Sequence, residues 1–310
     1  LYLDLHVPAF TFSKQHNNMQ YNTLSLALLA QGAAAQQMIR FSCSQLVVAR
    51  MDPLVNPGLA QSPHVHQVVG GNSFNVSMDP ATHDLVKDST CTTCTFSEDF
   101  SNYWTAVLYF RARNGTYKRV RQFPNVGLRA DGGVTVYYIP PYDGKTTVTA
   151  FKPGFRMLVG DAALHESKGM QKQLCHRCLG AGYDRGGAPC TGTDSQTLPA
   201  GFCEGGIRTT VTFPTCWDGK NIDSPDHKSH VAYPQVGTFE SVGTCPESHP
   251  VRLPQLMYEV MWDVRISPYL KSLEAWLIMS RPPSSTTKPS GLRMARSPSC
   301  GALMIRKYWA

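Results

Sequence analysis

Histidine and carboxylate side chains concentrate in three short stretches of this chain. Ser62-Pro-His64-Val65-His66 runs into Gly70-Gly71, and Phe213 to Tyr233 packs Asp218, Asp223, Asp226, His227 and His230 beside Trp217 and Lys228. The third stretch is Cys245-Pro-Glu-Ser-His249-Pro. Imidazoles mixed with carboxylates supply the proton donors and acceptors that acid–base catalysis needs at moderate pH. If residues 64–66 are extended, His64 and His66 project to one face, and Gly70-Gly71 lets a backbone approach closely. The expected catalytic groups are therefore His64, His66, Asp223, Asp226, His227 and His230, with the 223–230 segment facing His64 and His66. Tyr103, Trp104 and Trp217 offer flat faces for a sugar ring, and Lys228 and His249 complete the expected substrate contacts. A Cys216–Cys245 bridge would bring His249 up to the second stretch. The same groups have a plainer use, because Asp and His in loops cap turns and His230 can pair with Asp226. Solvated site groups can be removed at little cost in stability, whereas members of a buried network cannot.

The elements that must position these groups read as strands. Trp104 to Arg111 is followed by Asn114-Gly115, a hairpin signal because both turn positions need positive φ, and Thr116 to Val120 is the returning arm. Val134–Ile139, Thr146–Phe151, Ile207–Phe213 and Leu256–Trp262 complete the expected strands, and Leu256, Tyr258, Val260 and Trp262 alternate with Met257, Glu259 and Met261. No amphipathic helix of useful length occurs between 41 and 264. The expected fold is mostly β, an antiparallel sandwich or jelly roll with long disulfide-stapled loops.

Nine cysteines lie between 41 and 264, at 43, 91, 94, 175, 178, 190, 203, 216 and 245. They read as a disulfide framework with one cysteine left over, for which Cys300 is one partner. Cys91-Thr-Thr-Cys94 and Cys175-His-Arg-Cys178 mimic two halves of a zinc site, but the gap between them far exceeds the ~15–20 residues of a zinc ribbon. The Gly-rich stretch Gly180 to Gly206 has no strand pattern and is expected to be a loop held by bridges. Asn75-Val-Ser77 and Asn114-Gly-Thr116 are N-glycosylation sequons, the second at the expected hairpin tip.

The two ends have a different character. Met19 to Gln36 contains the apolar run Leu24–Ala30 and the small residues Ala33-Ala34-Ala35, which read as a signal peptide (19–35) preceded by upstream translation (1–18). The apolar run is shorter than the ~20 residues that span a bilayer, so no membrane span is expected. Residues 265–310 hold eight Lys or Arg and one acid, a net +7 that equals the net charge of the whole chain. The 36–264 domain therefore shows no basic balance that would point to nucleic acid. Arg281 to Pro298 is rich in Ser, Pro and Thr without periodicity, so 265–310 reads as a disordered or mistranslated tail.

Phe41-Ser-Cys43, Asp52-Pro-Leu-Val-Asn-Pro-Gly58, Ser62-Pro-His-Val-His66 and the Cys91-to-Trp104 run together resemble a secreted domain-of-unknown-function family of fungi and actinobacteria. So do Phe213-Pro-Thr-Cys-Trp-Asp-Gly219, Asp223 to Tyr233 and Cys245-Pro-Glu-Ser-His-Pro250. The resemblance covers about Phe41 to Asp263. Members are sometimes joined to WSC or cellulose-binding modules, which implies a secreted, extracellular or cell-wall protein working near polysaccharide and assigns no reaction.

Three functions follow. The leading one is a glycoside hydrolase or polysaccharide lyase with a His/Asp site. Hydrolysis uses two carboxyls flanking the scissile bond, whereas lyase chemistry uses a base and a cation such as Lys228 or Arg252. The second is a non-catalytic carbohydrate-binding cell-wall protein. The third is a metal enzyme using His64 and His66 with His230 or His249. The leading reading needs no cofactor and takes a polysaccharide or glycan ligand, with the protein a monomer.

Overall fold

The computed structural model describes residues 38–112, 114–161, 173–182, 187–236 and 242–266, with the backbone of 276–279. The expected signal peptide and upstream residues lie outside the described residues, as does most of the expected tail. The first strands are β1 (Ile39–Cys43), β2 (Val47–Ala49), β3 (His66–Gly70), β4 (Asn102–Ala106) and β5 (Leu108–Arg111). Next come β6 (Tyr117–Arg119), β7 (Arg121–Phe123), β8 (Val134–Ile139), β9 (Leu174–Leu179) and β10 (Gly206–Thr212). The last are β11 (Cys216–Trp217), β12 (Val231–Ala232), β13 (Val251–Arg252), β14 (Gln255–Asp263) and β15 (Trp276–Met279). The described helices are one α-helical turn, α1 (Leu85–Asp88), and a 3-10 turn at Val264–Ile266. The fold is mostly antiparallel β, as its alternating segments predict.

The main sheet has the order β1-β8-β14-β10-β9, with β7 on the far half of β14. Its register puts Val136, Tyr258, Thr209 and His176 on one face, and Tyr137, Glu259, Arg208 and Arg177 on the other. The first face packs against Val69 and Tyr103 of the β2-β3-β4 sheet and Leu108 and Phe110 of β5, giving one layered core. The second face is polar but covered. Asp194 accepts from Arg177 Nε and Arg208 Nη2, and Glu259 accepts from Tyr137 Oη and Asn125 Nδ2. Burial therefore runs along both faces of β14, although its sequence alternates.

Four bridges are described: Cys43–Cys94, Cys175–Cys190, Cys178–Cys203 and Cys216–Cys245. Cys91 is disulfide-bonded too, and its pairing lies outside the described residues. The C-x-x-C pairs are thus used to tie separate segments, not to hold zinc. Two bridges pin the loop after residue 180 to β9, a strand the sequence reading misses because Leu174–Leu179 alternates only weakly. The expected single strand Trp104–Arg111 is divided at the buried Val107, and its halves enter different sheets. The Asn114-Gly115 hairpin joins β5 and β6, with Gly115 at φ 80°. Thr146–Phe151 forms no strand. It runs extended, with Thr149 N donating to Arg252 O at 2.7 Å, and then lines a cleft. Trp276–Met279, inside the segment read as a tail, pairs with β5.

Candidate functional site

A cleft of about 890 Å³ opens along the edge strand β4. One wall is β3, β4 and the 98–101 turn, the opposite wall is the 151–161 segment, and the inner face of β10 and β14 forms the floor. The glycine pair explains the first wall. A side chain at Gly70, where φ is 105°, would lie 1.8 Å from Ser101 O, and one at Gly71 would lie 2.5 Å from Phe100 O. The close approach expected at Gly70-Gly71 is therefore made by the protein's own 100–101 backbone. It brings Asp99 and Tyr103 beside β3.

His64, His66, Tyr103 and Trp104 all line this cleft. His64 sits in the bend before β3 rather than on the strand, yet its ring centre is 6.4 Å from that of His66. His66 Nδ1 donates to Met51 O at 3.0 Å, which leaves Nε2 as the lone-pair nitrogen, 3.8 Å from Asp52 Oδ2. Asp52 is itself buried, and its Oδ1 accepts from the amides of Leu54 and Val55. Burial outweighs the Asp52 carboxylate and holds the His66 imidazole below its usual pKa. At neutral pH His66 is thus a neutral base next to a carboxylate able to stabilise its protonated form.

A second group in the cleft is one that sequence reasoning passes over. Tyr103 Oη donates to Asp99 Oδ2 at 2.6 Å and lies 2.7 Å from Tyr138 Oη, while Ser101 N donates to Asp99 Oδ1. Burial, with Asp99 nearby, pushes Tyr138 up to about 12 and Tyr103 well above its usual value. Both phenols therefore stay protonated and direct their hydrogens within the chain Tyr138–Tyr103–Asp99. The only sequence signal for this group is the crowding of polar and aromatic residues at 98–104. Tyr103 is buried, so its ring packs on Tyr258 and its hydroxyl reaches the cleft; Trp104 is half-buried on the same strand face as His66 and Asn102.

The second expected cluster has another environment. Asp226 is exposed and caps its loop, accepting from the amides of Lys228 and Ser229 and the hydroxyls of Ser224 and Ser229. These hydrogen bonds, led by the Ser229 amide, hold its carboxyl well below the usual range. His230 is only 1% exposed, with Nδ1 on Ser224 Oγ at 2.8 Å and Nε2 on Arg156 O at 2.7 Å. His227, at φ 55°, bonds Asp223 Oδ1 at 2.6 Å and reaches Leu54 O at 3.3 Å. His249 Nε2 meets Ser229 O at 3.0 Å, beside the Cys216–Cys245 bridge. Trp217 is buried, donating to Asn221 O and packing on Phe155.

Asp223, Asp226, His227, Lys228, His230, His249 and Trp217 are thus brought together, but none of them lines the cleft. They stand behind its 151–161 wall and hold it through Arg156 N to Ile222 O and Leu158 N to His227 O, both 2.9 Å. Among the described residues no three or more His, Cys, Asp or Glu side chains are grouped to hold a metal ion. No described helix is long and apolar enough to cross a membrane.

A family model described as a domain of unknown function (DUF1996) matches residues 52–283. The match includes both walls of the cleft and extends past Val264, where the sequence reading ends the domain. No curated protein and no solved structure matches this chain.

Proposed function

The chain belongs to the DUF1996 family of domains of unknown function, and we propose that this member is a secreted protein acting on cell-wall or extracellular polysaccharide held in the β4 cleft. The observation that carries this reading is one open cleft containing a neutral histidine backed by a carboxylate, a second carboxylate held by tyrosine, and a tryptophan face. Clefts with aromatic walls and a few convergent polar groups are the usual form of a ligand site. In the catalytic form of this reading His66 Nε2 takes a proton from an attacking water, and Asp52 stabilises the imidazolium that results. The imidazolium returns that proton to the departing sugar oxygen, and Asp99, which accepts from Tyr103 Oη and Ser101 N, is a further acceptor for substrate hydroxyls.

The experiment is a polysaccharide panel assayed for new reducing ends, with the parent protein beside His66→Ala. Release that disappears in the variant supports the reading. A protein that neither cleaves nor binds any glycan contradicts it.

A second reading, a non-catalytic carbohydrate-binding cell-wall protein, is favoured by the engagement of the Asp223–His230 groups in capping and bracing. Binding without release on every polymer selects it. Secretion accords with the disulfides, which persist in oxidising compartments. Asn114 is an exposed glycan acceptor at the hairpin tip, where its Oδ1 accepts from Thr116 N at 3.0 Å and Thr116 Oγ1 at 2.7 Å. Asn75 is a second exposed acceptor, and the protein acts as a monomer. Intact mass of the secreted protein before and after enzymatic deglycosylation tests both sequons.

A further inference from the structure

We infer that the cleft takes a neutral, hydroxyl-rich glycan and excludes uronic-acid polymers, so that any bond cleavage there is hydrolysis and not β-elimination. The inference rests on the polysaccharide reading above and narrows it to one substrate class.

Charge comes first. Among the described residues that line the cleft are five carboxylates, Asp52, Asp84, Glu98, Asp99 and Asp161, and two permanent cations, Lys152 and Arg156. Both cations are already engaged. Lys152 Nζ sits 4.6 Å from the centre of the Trp217 ring, and Arg156 is under the influence of Asp223 and Asp79. Of the carboxylates, Asp84 is matched by Lys87 at 3.0 Å. Asp52 faces the neutral His66, Asp99 is held by neutral donors, and Glu98 accepts from Ser97 Oγ. A uronate strand presents a carboxylate on every ring, and each close like-charge encounter weakens binding by about tenfold.

Hydrogen-bond polarity points the same way. His83 and Asn102 line the cleft, and His83 Nε2 and Asn102 Oδ1 are buried with no protein partner. His83 Nδ1 faces Asp88 Oδ2 at 3.7 Å, beyond hydrogen-bond reach, and its Nε2 is left for a ligand hydroxyl. Asn102 Nδ2 donates to Gly71 O at 2.8 Å, so Oδ1 is an acceptor. Asn102 Oδ1 and the Asp99 carboxylate are thus acceptors on residues that line the cleft. Sugar hydroxyls donate to acceptors, whereas a carboxylate has no hydrogen to give.

Elimination fails on the same surface. It needs a substrate carboxylate to acidify the neighbouring C–H and a protein cation to take up the charge that develops. Among the described residues Lys228 and Arg252 do not line the cleft, and the two cations that do, Lys152 and Arg156, are set over the Trp217 ring and beside Asp223 and Asp79.

The test is calorimetric titration of the full-length secreted protein with cellohexaose, laminarihexaose, xylohexaose, hexagalacturonate and a glucosamine hexamer. At least one neutral hexamer should bind at least about tenfold tighter than hexagalacturonate. His83→Phe should weaken that neutral hexamer by about tenfold at an unchanged or raised Tm, because it removes a ring nitrogen, Nε2, that no described group of the protein bonds. His83→Gln, which keeps a hydrogen-bonding group, should recover most of the affinity. Glu98→Gln should improve hexagalacturonate about fivefold relative to the neutral hexamer. Tightest binding of hexagalacturonate, tightest salt-sensitive binding of the glucosamine hexamer, unaltered neutral binding in His83→Phe, or a falling Tm in that variant would each overturn the inference and leave the polysaccharide reading standing. No binding by any of the five would overturn both.

Discussion

The cleft lining and the 216–233 loop behind it both contain histidines, carboxylates and tryptophan, yet these side chains are used differently. Behind the wall, His230 has both ring nitrogens bonded, and Asp226 accepts four hydrogen bonds from its own loop. In the cleft, His66 keeps one nitrogen facing Asp52 at 3.8 Å, beyond hydrogen-bond reach. The comparison teaches that a histidine–carboxylate run says nothing about catalysis until its hydrogen bonds are accounted for. A saturated cluster braces, and an unsaturated one is available to a substrate. The 216–233 loop is accordingly a scaffold: through Arg156 O and the His227 carbonyl it fixes the 151–161 segment, and that segment forms the second wall.

Variants on the two sides of the wall should separate the roles. His66→Ala should lower kcat/KM on the cleaved polysaccharide by about 10²–10⁴-fold, the usual contribution of a general base. It should cost only about 1 kcal/mol of stability for the lost bond to Met51 O. His230→Ala should do the reverse. It removes a fully buried ring and two hydrogen bonds, and about 2–4 kcal/mol of stability with them, a Tm lower by roughly 5–15 °C. If His230→Ala instead keeps its Tm and loses activity, the roles assigned to the two regions must be exchanged.

Asp226→Asn should have a smaller effect, about 1 kcal/mol, since an exposed turn cap is lost while activity at saturating substrate stays near the parent value. Altered product or lost binding in this variant would put the loop back into the site.

Acid should act on both regions with the same sign. The folded pKa of His66 lies below its unfolded value of about 6.5, so unfolded chains bind more protons there and stability falls as pH drops through that window. The Asp226 contribution is full above about pH 4 and is lost as pH falls toward its depressed folded pKa. Stability measured from pH 8 to 3 should therefore decline in two steps. His66→Ala should shrink the upper step, which it shares with His176, held by burial at about 4, and Asp226→Asn should shrink the lower, shared with Asp143. The acid limb of activity should lie below pH 6.5, and a limb at or above the ordinary histidine value would contradict the burial of His66.

Much of the β fold is legible in the sequence because Val134–Ile139, Ile207–Phe213 and Leu256–Trp262 carry strand periodicity, and Asn114-Gly115 marks a tight turn. The loop bridge Cys216–Cys245 is legible for the same local reason. What is not legible depends on distant partners. Glu259 alternates like a solvent-facing residue, yet it is buried because Tyr137 of β8 and Asn125 of the loop after β7 reach it. Thr146–Phe151 has strand composition but makes a single backbone bond to β13, from Thr149 N to Arg252 O, and no ladder. In the site, His64, His66 and Trp104 are readable from their types, but Asp52 and Asp99 are not. Asp52 reads as a turn residue, and Asp99 gains its place through Tyr103 and the glycine contact at 70–71. Sequence assembles His64 and Asp226 into one site because it cannot show the 151–161 wall between them.

Hydrogen exchange with and without a bound neutral hexasaccharide distinguishes the cleft from the loop behind it. Exchange should slow in 98–106 and 151–160, the two walls, with 223–230 unchanged. Protection confined to 223–230, with both walls exchanging at the ligand-free rate, would contradict the cleft as the ligand site.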